Sequence, residues 1–438
     1  MKIRFLIITM IMVSVFFISL SNYVLLSVIL SFFILPAMIY LSGKYKVFIF
    51  LLPFLWEVLL LYPVYIVFSC EYNAIIAFFY FLAMCFILAL PVSIFIFTCI
   101  SKKYCFFAPF IYIFILYLFK AEIFQTLPPI LIFQNEFMRK IAEGSFSSWM
   151  TTLSLLYLSI SIFDILIKNK SGALCCLIVS FLFVFFPGRL HYNSNINSIK
   201  IAGVQLSLMM KDFTVLEEIM NFTDEMIRND PDIKMVVYSE SPWLGFKNYN
   251  NASFTKKLLS YFIKRSLIDG VIYVFQMDSI DFNNERINKV LTVKIENGRI
   301  WYSGKSHLVP GWERGRGVND NYFIPELNKK IFTVSERKFN ALVCYDSLFM
   351  PSLFERDYDV VLVQSNYSIF KEKAGKNAYE HMVKISNILS WFSNASNGKS
   401  YINIQNEGGS DFINSYGVRK YDFYHKSLLD KSLIINMR

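Results

Sequence analysis

The chain has 438 residues, of which 55% are hydrophobic and only 17% are charged. Soluble proteins average about 45–50% apolar and about 25% charged residues, so this composition excludes a disordered chain, a collagen-like repeat and a purely soluble globule. The apolar excess lies mostly in residues 1–190, and residues 191–438 resemble an ordinary soluble domain in composition. We therefore expect a transmembrane domain over 1–190 and a water-exposed domain over 195–435.

A helix needs about 20 mostly apolar residues to cross about 30 Å of hydrocarbon. Seven stretches meet or approach that length, and they predict about seven spans: 3–20, 23–41, 47–68, 74–100, 105–119, 149–167 and 173–187. The first is interpreted as a retained helix and not a cleaved signal peptide. No small-residue cleavage site precedes Asn22, and a second apolar stretch follows directly.

Basic residues predict the orientation of this domain. They occur in pairs before the first stretch and in every second loop: Lys2 and Arg4, Lys44 and Lys46, Lys102 and Lys103, Lys168 and Lys170. Short cytoplasmic loops accumulate Lys and Arg, so the N-terminus is predicted to be cytoplasmic and the second domain extracytoplasmic. These eight charges account for most of the net charge of +10, so the basic balance predicts no nucleic-acid partner.

Two features of the membrane half have open interpretations. Glu57 lies in the middle of a predicted span, where a carboxylate costs about 2.5–3.5 kcal/mol on insertion scales. It either lines a polar cavity or is a protonated or interhelix-bonded structural group. The loop 120–148 is either an interfacial segment, which meets lipid or the second domain, or a plain connection.

The second domain alternates short strands with amphipathic helices, which predicts a layered α/β fold. Asn297-Gly298 marks a hairpin turn. The predicted helices cover 215–229, 255–266 and 377–392, and the predicted strands cover 201–206, 235–238, 270–277, 289–296, 299–303, 332–334, 340–344, 359–363, 401–405 and 411–414.

Cysteine usage singles out one residue of the second domain. Six of the seven cysteines lie in or beside the predicted spans, at positions 70, 85, 99, 105, 175 and 176, and the second domain has only Cys344. A disulfide framework and a cysteine-based metal site are therefore excluded there. A lone thiol is either an inert core residue or a nucleophile.

The surroundings of Cys344 favour the nucleophile. Cys344 ends the apolar strand that begins at Asn340, Glu240 ends the strand that begins at Met235, and Lys305 follows the hairpin. Strand ends in α/β sheets open onto the crevice where ligands bind. A carboxylate, a lysine and a thiol supply the base, the oxyanion partner and the nucleophile that thiol acyl transfer needs.

These three segments resemble the Glu–Lys–Cys triad of the nitrilase (carbon–nitrogen hydrolase) superfamily. The segment from Lys305 through Ser306-His307-Leu308-Val309-Pro310-Gly311-Trp312 to Glu313 resembles more narrowly the apolipoprotein N-acyltransferase family, whose pattern is Lys-x-His-Leu-Val-Pro-x-Gly-Glu. The resemblance implies a multi-span helical membrane domain that carries an extracytoplasmic nitrilase-like domain, an αββα sandwich.

The chain departs from the family pattern in several places. The family's Trp-Pro-Glu is Tyr238-Ser239-Glu240 here, its Cys-Tyr-Glu is Cys344-Tyr345-Asp346, and its Phe-Gly-Glu is Gly311-Trp312-Glu313. Its Asn-Asp-x-Trp-Phe stretch is replaced by 365–370, and the final residues 424–438 are too short and too charged for its last membrane helix. The catalytic groups are therefore retained while the surroundings of the substrate differ.

The resemblance implies a two-step acyl transfer in the bacterial cytoplasmic membrane. Glu240 takes the proton of Cys344, which attacks a phospholipid ester, while Lys305 and a backbone N–H near Tyr345 stabilise the oxyanion. The amine of a diacylglyceryl-cysteine lipoprotein then accepts the acyl chain. Glu313 either orients Lys305 or helps to deprotonate that amine. We expect a monomer that needs no metal and no soluble cofactor.

Other interpretations of these residues remain. His307 is predicted to be a structural histidine, and His381 a packing or capping residue of a helix. The same triad serves a membrane-anchored amidase with water or a small amine as acceptor. A third alternative is a non-catalytic remnant that binds acylated partners.

Overall fold

The computed structural model describes residues 24–101, 103–119, 123–124, 148–185, 198–206, 216–240, 252–281, 286–309, 313, 325, 331–351, 357–395, 398–415 and 417–437. The predicted span 3–20 and most of the loop 120–148 lie outside these residues.

The first part of the described chain is helical. Its helices are α1 (Val24–Lys44), α2 (Phe48–Leu60), α3 (Tyr62–Glu71), α4 (Ala74–Ile100), α5 (Ala108–Leu118), α6 (Ser148–Leu166) and α7 (Lys170–Phe185). Among the described residues, α4 is the one helix that is long and apolar enough to cross a membrane by itself, and α2 with α3 would also cross it if the bent pair is one span. The number of spans stays a prediction.

The predicted span 47–68 consists of two helices, which meet at an angle of 64°. Pro63 explains the break, because a proline has no N–H to donate to the carbonyl four residues back and its ring clashes with that turn. Leu61 accordingly leaves the helical conformation, with φ −105° and ψ 12°. Glu57, near the end of α2, is buried with 1% of its surface exposed.

The second part contains two β-sheets. The six-stranded sheet has the order β11-β1-β2-β3-β4-β5, and the five-stranded sheet has the order β10-β9-β8-β7-β6. The strands are β1 (Ile199–Val204), β2 (Met235–Tyr238), β3 (Ile272–Asp281), β4 (Arg286–Glu296), β5 (Arg299–Gly304), β6 (Ile331–Val334), β7 (Arg337–Val343), β8 (Val360–Ser365), β9 (Ser400–Gln405), β10 (Asp411–Ile413) and β11 (Ser432–Met437).

The helices of this part are α8 (Leu216–Asn229), α9 (Ala252–Ile268), α10 (Ser368–Ala374), α11 (Lys376–Ala395) and α12 (Tyr421–Ser427). Helices α8 and α9 cover the outer face of the six-stranded sheet, and α11 covers the outer face of the five-stranded sheet. Helix α10 packs against α3 and α11, and α12 places Phe423 in the core between the sheets. Strand β8 shows how alternate residues serve different layers. Val360 and Leu362 enter the core between the sheets, whereas Val361 and Val363 pack in the cluster that contains α11. This helix–sheet–sheet–helix order is the layering that the sequence resemblance implied.

The C-terminal strand was not predicted from the sequence. Strand β11 pairs antiparallel with β1, from Ile199 opposite Met437 to Val204 opposite Ser432. Its residues alternate between buried and exposed, with Leu433, Ile435 and Met437 inside. The region 424–438, considered above only as a membrane helix that was too short, therefore completes the first sheet.

The helical part and the α/β part share one apolar cluster. It contains Leu35, Trp56 and Leu60 of the helical part together with Ile388 and Trp391 of α11. Helix α11 thus covers its sheet on one side and contacts the helical part on the other. This shared layer brings the apolar helices next to the strands that precede the predicted site residues.

Gly203 provides a test of the sheet-to-sheet packing. A Cβ at this position would lie 2.3 Å from Cδ1 of Ile404, which is fully buried in β9. We expect Gly203→Ala to lower the free energy of unfolding by about 1–3 kcal/mol, because overpacking forces side chains off their rotamers. The measurement is the midpoint of thermal unfolding in detergent.

Two variants control this prediction. Ile404→Val in the Gly203→Ala background removes the clashing methyl group and should recover part of the loss. Gly43→Ala in α1 should not lower the midpoint, because its added Cβ meets nothing within 4 Å and alanine is the better helix former. A Gly203→Ala protein that melts like the parent would contradict the packing described here.

Candidate active site

The four residues predicted from the sequence lie together at the ends of strands from both sheets. Glu240 follows β2, Lys305 follows β5, and Cys344 follows β7. Lys305 Nζ lies 2.7 Å from Glu313 Oε1 and 4.0 Å from Glu240 Oε1. The Cys344 thiol lies beside Glu240, close enough to influence its protonation. The fold therefore brings four groups into one cluster, although positions 240 and 344 are 104 residues apart in the sequence.

Lys305 is the buried centre of this cluster, with 1% of its side chain exposed. Its backbone N–H donates to the carbonyl of Val290 at 2.8 Å, which fixes the strand end. Burial alone would lower its pKa, but the carboxylates of Glu313 and Glu240 outweigh burial, and the pKa is raised above its usual value. The ammonium group is therefore charged and held by two acids.

Glu313 is fastened to the same loop that carries Lys305. Its Oε2 accepts from the backbone N–H of Val309 at 2.8 Å, and its own N–H donates to the carbonyl of Val309 at 2.8 Å. Its other oxygen, Oε1, accepts from Lys305. Of the two predicted roles of Glu313, this geometry fits the orientation of Lys305. The neighbouring motif positions 310–312 lie outside the described residues.

Glu240 has the protonation behaviour of a base that works near neutral pH. Burial raises its pKa, Lys305 lowers it, and the charge of Glu313 raises it again, to a value of about 7. Hydrogen bonds from Cys344 and from the backbone of Asn366 stabilise its ionised form. Glu240 can therefore accept the proton of the thiol during its attack and release that proton to a leaving group.

Cys344 occupies an unusual backbone conformation, with φ +45° at the start of the 3-10 helix Cys344–Leu348. This region is uncommon for residues other than glycine, and such outliers cluster at functional sites. Burial and the charge of Glu240 raise the pKa of its thiol, although Lys305 and the backbone N–H of Asn366 counteract them. The resting thiol is thus protonated and points its proton at Glu240.

Two further residues surround the sulfur and were not predicted from the sequence. The backbone N–H of Asn366 contacts both Cys344 and Glu240. The hydroxyl of Tyr367, which is buried, hydrogen-bonds to Cys344. Both follow β8, in the stretch where the sequence departs from the family pattern. Their position directly after a buried strand is the sequence signal that could have identified them as site residues.

Asp346 joins the loop of Cys344 to the loop of Lys305 and was also not predicted as a site residue. Its Oδ1 accepts from the backbone N–H of His307 at 2.7 Å and lies 2.7 Å from His307 Nδ1. The backbone N–H of Ser306 donates to both carboxylate oxygens at 3.2 Å. The His307 ring stacks on Phe349 with centroids 4.0 Å apart. His307 is a structural residue, as predicted.

The cluster lies in a cavity of about 460 Å³. Its polar end contains Glu240, Lys305, Glu313 and Cys344. The remaining lining is largely apolar and comes from both parts of the chain: Leu61, Val64, Val67, Phe68, Met84 and Phe124 from the helical part, and Ile369, Phe370, Met382, Ile385 and Leu389 from helices α10 and α11. The cavity therefore joins a nucleophile to an apolar chamber.

Phe124 belongs to the predicted loop 120–148, of which residues 123, 124 and 148 are described. Its ring packs against Tyr345 at 5.9 Å and Phe349 at 5.8 Å between centroids. The loop therefore contacts the α/β domain beside the cluster. In the part of the chain that the structure describes, no group of three or more His, Cys, Asp or Glu side chains could hold a metal ion.

Comparison with known proteins gives similarity in structure only. No protein-family model matches the sequence, and no curated protein matches it. The chain is similar to Nit3 of Saccharomyces cerevisiae, a member of branch 10 of the nitrilase superfamily, with 15% identity, a TM-score of 0.41, and coverage of 55% of this chain and 90% of that chain.

Two further solved structures are comparable. A carbon–nitrogen hydrolase from Helicobacter pylori G27 has 14% identity and a TM-score of 0.41 over 55% of this chain and 89% of that chain. An amidase from Nesterenkonia sp. has 14% identity and a TM-score of 0.39 over 55% of this chain and 90% of that chain. The interpretation of the site below rests on its own geometry and on the sequence motif.

The pKa of Glu240 predicts a pH dependence for acylation of Cys344. Glu240 must be ionised to accept the thiol proton, so the rate should fall about tenfold per pH unit below about 7 and level off above it. The measurement is the rate of Cys344 acylation by a p-nitrophenyl ester, followed by peptide mass spectrometry. Glu240→Gln should lower this rate by about 10²–10⁴-fold and remove the midpoint near 7. A rate independent of pH between 5 and 8 would contradict this role.

Asp346→Asn tests the link between the two loops. An amide in place of the carboxylate presents a donor to groups that are themselves donors, so a buried hydrogen bond is lost at a cost of about 1–3 kcal/mol. We expect a lower thermal midpoint and slower acylation of Cys344 by the same ester. Asp357→Asn is the matched control, because Asp357 pairs with Lys338 at the surface and is 85% exposed. Equal behaviour of the two variants would show that Asp346 does not organise the site.

Proposed function

We propose that this protein is a membrane-bound N-acyltransferase. It transfers a fatty acyl chain from a phospholipid to the N-terminal amine of a diacylglyceryl-cysteine lipoprotein through a thioester on Cys344. The observation that carries the proposal is the cavity, in which the Glu240–Lys305–Cys344 cluster meets apolar walls from the helical part and from α11. The Lys305–Glu313 motif supports the same family.

The apolar walls favour a substrate with a hydrocarbon chain. A volume of about 460 Å³ lies in the range of small-molecule pockets, about 300–1,000 Å³. Apolar walls bind a hydrocarbon chain with a free energy that is proportional to the apolar area removed from water. A small polar amide has little such area, so an enzyme for such amides would gain little binding energy from this chamber. Residues of the predicted spans form part of this chamber, so a lipid that lies in the bilayer would reach Cys344 beside the membrane.

The proposed membrane arrangement follows the charge pattern of the sequence. The N-terminus lies in the cytoplasm, about seven helices cross the cytoplasmic membrane, and the α/β domain lies outside it as a monomer. Both substrates are anchored in the same membrane, so the helical part holds donor and acceptor close to the nucleophile.

In the first half-reaction, Cys344 Sγ attacks the carbonyl carbon of the phospholipid ester while its proton passes to Glu240. The carbonyl oxygen gains the negative charge, and Lys305 stabilises this oxyanion. When the intermediate collapses, the C–O bond of the ester breaks, and the lysophospholipid leaves with the proton from Glu240. A thioester at Cys344 and an ionised Glu240 remain.

In the second half-reaction, the free amine of the lipoprotein attacks the thioester carbonyl. Glu240 removes one proton from the attacking nitrogen, and Lys305 stabilises the second oxyanion. The C–S bond breaks, and the proton on Glu240 returns to the sulfur. The products are an amide on the lipoprotein and the resting thiol, so each atom and proton is accounted for.

Glu313 keeps the ammonium group of Lys305 in place during both steps. The two form a contact of 2.7 Å, and Glu313 is itself fixed by Val309. A lysine with four rotatable bonds would otherwise lose entropy each time it met an oxyanion. The apolar walls exclude water, which would hydrolyse the thioester.

The test is the intact mass of detergent-purified protein after incubation with phosphatidylethanolamine. We expect a fatty-acyl increment that is absent in Cys344→Ala and present in Cys175→Ala, a control that removes an exposed thiol elsewhere. A synthetic diacylated lipopeptide with a free N-terminus should then remove the increment and gain the acyl chain.

Other outcomes would identify the alternatives. Loss of the increment in water without lipopeptide, together with hydrolysis of small amides, would indicate a membrane-anchored amidase. No increment from any ester or amide, with an intact fold, would overturn the enzyme proposal and indicate a binding remnant.

A further inference from the structure

We propose that His381 is a positioning residue, which fixes helix α3 as a wall of the cavity beside Cys344 and so sets how well the cavity accepts a long acyl chain. The inference rests on the proposed function only for the identity of that chain. His381 lies on α11, outside the cluster of Glu240, Lys305, Glu313 and Cys344.

The break between α2 and α3 creates an acceptor that needs a partner. In a continuous helix, the N–H of Val64 would donate to the carbonyl of Leu60. At the break, the N–H of Val64 donates to Leu61 instead, at 2.9 Å. His381 Nε2 lies 2.9 Å from the Leu60 carbonyl oxygen and satisfies it. A helix end that would otherwise be unsatisfied is therefore bonded to the α/β domain.

The surroundings of His381 favour this bond. The residue is 7% exposed, and burial lowers its pKa, so the imidazole is neutral near pH 7. The short contact with a carbonyl requires the tautomer with its proton on Nε2. The ring also packs on Tyr62, the first residue of α3, with centroids 5.5 Å apart. One side chain thus contacts both sides of the helix break.

This bond joins two elements that both line the chamber. Val64, Val67 and Phe68 of α3 line the cavity, and so do Ile385 and Leu389 of α11. The latter two follow His381 by one and two helical turns, which places them on the same side of α11. The position of α3 relative to α11, and therefore the width of the chamber, depends on the bond at His381.

A second polar contact between α3 and the α/β domain is weaker than the bond at His381. Lys373 Nζ lies 3.9 Å from Glu71 Oε1 at the far end of the helix, and the two side chains are 33% and 25% exposed. Exposed ion pairs contribute little to stability, because water and salt screen the two charges. If the bond at His381 is lost, α3 moves more freely about Leu61, and a long chain loses apolar contacts while a short ligand at Cys344 does not.

The experiment compares His381→Phe, which keeps a ring against Tyr62 but has no donor, with His381→Gln, whose amide can still donate to Leu60. His381→Asn, with an amide too short to reach, is a second loss variant should the phenylalanine not fold. His425→Phe is the matched control, because His425 is exposed on α12. All are made in the full-length protein.

Two readouts are used, and neither needs acyl transfer. The first is deuterium uptake of the amides of residues 62–71. The second is the rate of Cys344 alkylation by iodoacetamides with two-carbon and sixteen-carbon chains. The exposed thiol Cys175 is the internal standard for partition of the long reagent into detergent. Tryptic peptides separate the two sites.

We expect His381→Phe and His381→Asn to raise uptake in 62–71 and to lower the long-to-short rate ratio at Cys344 about threefold to tenfold, the effect of one hydrogen bond. His381→Gln and His425→Phe should match the parent. Unchanged uptake in the loss variants would overturn the role of the bond, and an unchanged ratio would overturn the role of α3 as a wall. A His381→Gln protein that behaves like His381→Phe would assign the effect to ring packing and overturn the proposal.

Because the reagents react with the thiol directly, these results stand whether or not the protein transfers acyl chains from phospholipid. Failure of acyl transfer with an intact effect at His381 would reject the proposed function alone. Failure of the His381 effect in a protein that does transfer acyl chains would reject this inference alone.

Discussion

The buried ammonium of Lys305 is the constraint on which the site depends. A lysine that is 1% exposed needs charged partners, because burial of an unpaired ion costs several kcal/mol. Glu313 and Glu240 provide them, and this requirement draws the ends of β2 and β5 together. The same positive charge limits the pKa of Glu240 and opposes the rise in the pKa of Cys344. Removing any one charge therefore changes the protonation of the others.

A second constraint is the junction between the two parts of the chain. Helix α11 packs on its own sheet and on the helical part, and one apolar cluster runs through both contacts. The cavity is a gap in this junction, so its polar end comes from strand ends and its walls come from helices. A domain of either kind alone would lack half of the chamber. The chemistry and the apolar specificity are thus separate contributions that meet at Cys344.

Local patterns in the sequence predicted the structural features that are determined by residues close together along the chain. Asn297 and Gly298 adopt φ of +47° and +72°, as the hairpin turn requires, and this turn also locates β5. The ends of β2 and β7 follow from apolar runs that stop at polar residues. Other features depend on distant partners. The bond from His307 to Asp346 arises only when the two sheets meet, and the N–H of Asn366 comes near the sulfur only because β7 and β8 are neighbours in one sheet. The break at Pro63 had a local signal, but uniform apolarity suggested one continuous helix.

The protonation of the site explains how one carboxylate can serve both steps of the proposed reaction. A resting thiolate would be buried beside an ionised Glu240, and burial together with the repulsion between these two negative charges raises the pKa of Cys344. The nucleophile is therefore produced only as its proton moves to Glu240. Departure of the first product returns Glu240 to its ionised form, so the same group is ready for the proton of the amine. A carboxylate with an ordinary pKa would hold either proton too weakly, whereas one near 7 can accept and release both.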